Sequence, residues 1–178
     1  MVTFEALGPV LAVMPWNFPF WQVFRFAAPA LMAGNTVLLK HASNVQGCAG
    51  MIESIFSEAG FTEGIFQNLA IGSDRVASVI ANEYVCAVTL TGSEQAGMAV
   101  AAEAGRHLKK CVLELGGNNA FVVLNDANQE LALNLAIPAR MQNGGQSCIA
   151  AKRVILESWI AVDFIPRLAE KARELVLG

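Results

Sequence analysis

The sequence predicts an α/β fold: a doubly wound parallel sheet with helices on both faces, followed by the start of a second α/β domain. Three observations predict it. Short, nearly unbroken apolar runs recur along the chain, each followed by a longer stretch with apolar residues at helical spacing. The 178 residues are 54% hydrophobic and 15% charged, against about 25% charged in ordinary globular proteins, so the chain should bury a large core. Beyond residue 115 the pattern changes and a new set of elements begins. Strands that are apolar on both faces belong to parallel sheets covered on both sides.

Each element has its own signal. "GPVLAVM" (8–14), "NTVLLK" (35–40), "GIFQNLA" (64–70), "VCAVTLTG" (85–92) and "KKCVLEL" (109–115) read as buried strands. Between them, 20–33, 45–59, 74–81 and 94–104 read as helices. This alternation is Rossmann-like, and in such sheets ligands bind at the carboxyl ends of the strands. After residue 115, "NAFVVL" (119–124) reads as a strand, 128–141 as a helix and "KRVILES" (152–158) as a strand. A last helix, 161–177, carries Phe164, Ile165, Leu168, Ala172, Leu175 and Val176 on one face.

Composition also excludes classes. A net charge of -3 leaves no basic footprint, so nucleic acid is not an expected partner. The uncharged stretch from Leu7 to Phe24 has membrane-span length, but Pro9, Pro15, Pro19 and Asn17 interrupt it. Prolines remove backbone donors, and a span must satisfy every backbone group internally, so no membrane insertion is expected. No basic stretch precedes it, which argues against a secretory signal. Cys48, Cys86, Cys111 and Cys148 are far apart and form no CxxC pair, so no metal site is expected. Free thiols suggest a reducing, cytoplasmic setting.

Five motifs could carry chemistry, and each has a plainer alternative. "LTGSEQAG" (90–97) sets a glycine turn before a helix, whose free N–H groups suit phosphate; Ser93 could equally be an ordinary helix cap. Lys40, closing "VLLK", could reach ribose or phosphate oxygens or simply sit in solvent. In "MPWNFPF" (14–20), Asn17 is flanked by Trp16 and Phe18 between two prolines. Its amide could donate to a developing oxyanion or close an Asx turn. Glu114, in "VLELGG", is expected to be buried at an apolar strand end with a raised pKa, as suits a general base. Alternatively it turns outward. Cys148 follows "NGGQS", where glycines allow close approach of a ligand to backbone; it is a nucleophile or a buried structural thiol. The other three cysteines, and His41 and His107, read as ordinary residues.

Taken in order, "PWNFP", "LLKHAS", "TGSEQAG", "LELGG" and "GGQSCIAAKR" resemble the NAD(P)-dependent aldehyde dehydrogenase superfamily, with most similarity to its succinate-semialdehyde dehydrogenase branch. The resemblance implies an enzyme oxidising an aldehyde, here a semialdehyde, to an acid with NADP or NAD. It makes residues 1–115 a cofactor-binding domain, incomplete at its start, and 116–178 the beginning of a truncated catalytic domain. Cys148 would attack the aldehyde, Asn17 and the Cys148 N–H would hold the oxyanion, and Glu114 would activate water. Trp16, Asn17, Lys40, His41, Ala42, Ser43, Gly92, Ser93 and Leu115 would bind the cofactor. Asn17, Glu114 and Cys148 are expected around one small cavity at the rim of the sheet.

NAD-preferring members of the family carry a glutamate at position 43, so Ser43 implies that NADP is accepted. His41 stands where a proline is usual, which implies a less rigid loop. Gln142 stands where some succinate-semialdehyde enzymes have an arginine; Arg140 could compensate. Family members are much longer and form homo-oligomers. The chain is therefore expected to be a central fragment with negligible turnover by itself. The alternative is an inert cofactor-binding or interaction module.

Overall fold

The computed structural model describes residues 1–176, so the predicted helix end at Leu177 lies outside the described residues. The chain divides into two compact units, Met1–Leu115 and Gly116–Gly178. The first unit runs β1 (Pro9–Met14), α1 (Trp21–Met32), β2 (Thr36–His41), α2 (Gln46–Glu58), β3 (Phe66–Asn68), α3 (Val76–Ala81), β4 (Ala87–Thr91), α4 (Glu94–Arg106) and β5 (Lys110–Glu114). Its strands form one parallel sheet in the order β3-β2-β1-β4-β5. The chain winds outward from β1 to β3, then restarts at β4 on the other side of β1. That reversal is the topological switch point of a doubly wound sheet.

Two apolar layers hold the sheet, and strand alternation sorts residues between them. Ala12 and Met14 of β1, with Val37 and Leu39 of β2, face α1 and α2 and pack with Val23, Ala27, Ile52 and Phe56. Phe56 stacks on Phe66 at 4.5 Å between ring centroids. Leu11 and Val13, with Leu38, face the other way, toward Val76, Ile80, Val100 and Ala104 of α3 and α4.

β5 departs from the expected buried strand. It is the outermost strand, and only alternate residues face the core: Cys111 and Leu113 pack inward while Lys110, Val112 and Glu114 are exposed. Two helices also start differently from the expected 45–59 and 74–81. Single 3-10 turns, Ser43–Val45 and Ser73–Arg75, lead into α2 and α3.

The second unit contains β6 (Ala120–Val123), α5 (Gln129–Met141), β7 (Arg153–Leu156) and α6 (Ser158–Arg173). β6 and β7 pair in parallel. Val123, Leu133, Ile160 and Phe164 form its core, and Arg167 of α6 pairs with Glu130 of α5. Asn128 caps α5 by accepting the Leu131 N–H at 3.0 Å. α6 begins at Ser158 rather than residue 161, because the Glu157 N–H is held by Val123 O at 3.3 Å, which ends the strand there. Among the described residues no helix is long and apolar enough to cross a membrane, and no three His, Cys, Asp or Glu gather as a metal site.

Candidate active site

The carboxyl ends of β1, β2 and β4 open into a cleft of about 510 Å³ against α3 and α4, lined by Val13, Lys40, Leu90, Val76, Ala99 and Val100, among others. It sits at the switch point, where topology places ligands in this class of sheet. Its size suits part of a dinucleotide, and an apolar wall with a few polar groups is the usual composition of such sites. Lys40 reaches it for a reason of parity. In β2, Lys40 follows Leu38 onto the α3/α4 face, whereas His41 follows Leu39 onto the other. Of the nine residues expected to bind cofactor, Lys40 lines this cleft. Val76, Ala99, Val100 and Ser73 were not singled out by sequence. Their signal, small or apolar residues on α3, on α4 and on the turn before α3, is the same as that of ordinary packing.

Glu103 also lines the cleft. Arg106 donates to it at 2.6 Å and His107 lies 3.0 Å away, and these bonds, Arg106 first, hold its carboxyl below the ordinary value of 4.5.

The turn after β1 carries Trp16, half exposed, and Asn17, half-buried. Its anchor is His41, which is fully buried. Nε2 of His41 lies 3.0 Å from Pro19 O and must carry a proton, since a carbonyl only accepts. Nδ1 accepts the Ala42 N–H at 3.0 Å and stands 3.2 Å from Met14 O. The imidazole thus ties Pro19, at the far end of the turn, to the backbone just past β2, and packs beside Met14 O at the near end. Gln46 adds to this by donating Nε2 to His41 O at 3.2 Å and Ala42 O at 3.3 Å. So the segment expected to be loosened by losing a proline is tied by side-chain bonds instead, and His41, read as an ordinary residue, is the buried anchor of the turn. Its ring faces inward, leaving backbone for any ligand. His41→Ala should lower unfolding stability by about 2–4 kcal/mol, since it opens a cavity and strips partners from buried backbone groups. A urea midpoint unchanged from wild type at equal slope would contradict this.

Ser43 is exposed at the start of the turn that leads into α2. Ser93 caps α4, its Oγ accepting the Ala96 N–H at 3.2 Å, so the plain reading of this serine is realised while its hydroxyl proton stays available to an anion. Gly92 gives its N–H to Glu114 O at 3.0 Å, so it is not among the free N–H groups, which belong to the first turn of α4. Gly97 lies under Leu115: a Cβ there would meet Leu115 Cδ2 at 2.6 Å, so this glycine lets Leu115 close onto α4.

Glu114 corrects an expectation. It is neither buried nor in apolar surroundings; its side chain is 54% exposed and pairs with Arg25 of α1 at 3.0 Å. The cause is its place on an edge strand, where the parity that buries Leu113 turns Glu114 outward. A half-exposed pair of this kind contributes at most about 1 kcal/mol, so the carboxylate can leave Arg25 readily.

In the second unit, Cys148 occupies a loop between α5 and β7. Asn143, Gly144 and Gly145 have φ of 53°, 65° and 77°, a left-handed run that folds the chain sharply after α5. Gly145 is doubly constrained, because a Cβ there would meet Arg140 Nη1 at 2.6 Å. Arg140 donates Nη1 to Gly145 O at 3.3 Å, so the arginine that offered a partner for a substrate carboxylate braces this loop. A turn over residues 147–150 is closed by the Ala150 N–H donating to Ser147 O at 3.2 Å, with Cys148 in its middle. Ser147 and Ala150 are buried and Ile149 is exposed. All four cysteines are unbridged and half-buried, so exposure does not distinguish Cys148; its loop does. Burial pushes the Cys111 thiol up, as befits an inert structural residue. Asn17 and Glu114 stand in the first unit and Cys148 in the second.

A parallel sheet wound outward from β1, with a cleft at its switch point and a lysine at the end of the second strand, defines an α/β protein of the dinucleotide-binding class. The chain belongs to the aldehyde dehydrogenase family, whose model matches residues 1–178. It is 56% identical over 177 residues to a Synechocystis sp. protein named probable succinate-semialdehyde dehydrogenase (NADP+), covering 99% of this chain and 39% of that protein. It is 50% identical to the NAD(P)+ succinate semialdehyde dehydrogenase of Escherichia coli, covering 100% of this chain and 38% of the relative. Among solved structures, the succinic semialdehyde dehydrogenase of Streptococcus pyogenes with NADP+ superposes with a TM-score of 0.91 at 42% identity, over 93% of this chain and 36% of that one. The chain thus spans about two fifths of the length of the curated relatives it matches.

Proposed function

We propose that this chain supplies the nucleotide cleft and the nucleophile of an enzyme that oxidises an aldehyde, of the semialdehyde class, to a carboxylic acid. The observation that carries this reading is the family match along the whole chain, reaching through the left-handed loop that presents Cys148. In this reading residues 1–115 form the cofactor-binding domain and 116–178 the first part of the catalytic domain.

The Cys148 thiolate adds to the aldehyde carbon, and the Asn17 amide with the Cys148 N–H stabilises the oxyanion. When bound, a nicotinamide cofactor would accept the hydride leaving this carbon, so that the adduct held on Cys148 becomes a thioester. Glu114, released from Arg25, takes a proton from water, which attacks the thioester and returns the thiol. The donor set on this chain fits a dinucleotide: Lys40 in the cleft, the first turn of α4 with Ser93 for pyrophosphate, and Trp16 and the 41–43 backbone toward ribose. Leu115 stands for the nicotinamide end. Purified at the length of its relatives, the enzyme should reduce NADP with succinate semialdehyde; no reduction with any carboxylated or plain aldehyde would refute the reading. The protein is taken to be a homo-oligomer at that length and cytoplasmic.

Cofactor choice turns on Ser43. Its hydroxyl can donate to a 2′-phosphate beside the start of α2, and no carboxylate repels that group. At 4 Å, a carboxylate opposes each phosphate charge by about 1 kcal/mol in water and about 4 near a protein surface. Ser43→Glu should therefore weaken NADP about tenfold or more relative to NAD, read as the ratio of dissociation constants. Tenfold tighter NAD than NADP binding by the unaltered enzyme would contradict the role given to Ser43.

A further inference from the structure

We propose that Lys152 is a positioning residue that aims the Cys148 N–H at the oxyanion, an inference that rests on the role given to Cys148 above. The Lys152 ammonium lies 3.3 Å from Ser147 O, 2.9 Å from Cys148 O and 3.4 Å from Ala150 O. An ammonium has three donors and no acceptor, so a single side chain can serve these three carbonyls of the nucleophile turn. The turn is otherwise closed by one backbone bond, Ala150 N–H to Ser147 O at 3.2 Å.

The consequence follows from peptide geometry. A trans peptide is planar, with its C=O and N–H pointing in opposite directions. Ser147 O and the Cys148 N–H belong to the same peptide plane. When Lys152 draws Ser147 O toward itself, the Cys148 N–H is turned to the far side, away from the ammonium. Holding Cys148 O as well fixes the plane on the other side of the cysteine. Both peptides flanking the nucleophile are thereby set by one cation. The base of Lys152 is itself fixed: its N–H donates to Asn119 O at 2.9 Å, next to the point where β6 begins. Lys152 need not touch substrate for this; it acts through the backbone it holds.

An oxyanion donor matters to attack on a carbonyl but not to alkylation, where no oxyanion forms. The two reactions of one thiol therefore separate positioning from mere integrity of the loop. In the enzyme at the full length of its relatives, Lys152→Met should reduce kcat for aldehyde oxidation by about a hundredfold, the scale of losing one oxyanion donor. The rate of Cys148 alkylation by iodoacetamide and the KM for NADP should stay within about threefold of wild type. Lys152→Gln, which keeps a donor on a shorter stem, should fall between the two and serves if the methionine variant does not fold. Unchanged kcat overturns the proposal, and so does a parallel loss of oxidation and alkylation, which marks a structural or charge effect on the thiol. If instead alkylation of wild-type Cys148 leaves oxidation intact, the proposed function itself fails, independently of Lys152.

Discussion

Cys148→Ser should abolish aldehyde oxidation, lowering kcat by at least a thousandfold while leaving NADP binding unchanged. A serine hydroxyl has the geometry of the thiol but is not ionised near neutral pH, and both histidines of this chain are engaged elsewhere: His41 is buried against Pro19 and Ala42, and His107 pairs with Glu103. The loop carbonyls are held by Arg140, by Lys152 and by the Ala150 N–H, so replacing the Cys148 side chain should leave the loop in place. Steady-state rates with a semialdehyde, beside a fluorescence titration with NADP, measure the effect. Activity within tenfold of wild type would mean that another group makes the covalent bond.

Glu114→Gln should give a different signature. Proton abstraction from water contributes on the order of 10²–10⁴ to the rate of the step it serves. That step lies after hydride transfer, so the variant should show a burst of one NADPH per site followed by turnover slowed a hundredfold or more. Glutamine keeps the shape and can still accept a bond from Arg25 through its carbonyl, so stability should change by less than about 1 kcal/mol, as expected for a half-exposed pair. Absence of the burst would place Glu114 before hydride transfer, and unslowed turnover would remove it from the chemistry. Arg25 gives a control, since Arg25→Met frees the carboxylate without deleting it and should preserve most of the turnover.

Much of the first unit was legible because parallel sheets write themselves plainly. Each strand is a short apolar run and each helix a longer periodic one, and the five runs predicted between residues 8 and 115 coincide with β1 to β5. The Cys148 loop was legible only as a glycine-rich stretch, its glycines read as room for a ligand, and the structure adds the reason for them. Glycines at 144 and 145 are required by the left-handed backbone there, so the local conformation is carried by residue type. Helix starts were less legible, because a 3-10 turn and the first turn of an α-helix draw on the same residues.

What the sequence by itself determined is the order of elements, the parallel sheet and the family, since these depend on periodicities and motifs within a few residues of each other. Tertiary structure alone decided which way three side chains point. Lys40 enters the cleft and His41 is buried beneath the Asn17 turn because adjacent strand residues face opposite sides, and only the packing of α1 to α4 says which side is which. Glu114 lies open beside Arg25 because β5 is the edge of the sheet, and strand order is a matter of long-range pairing that no local pattern records.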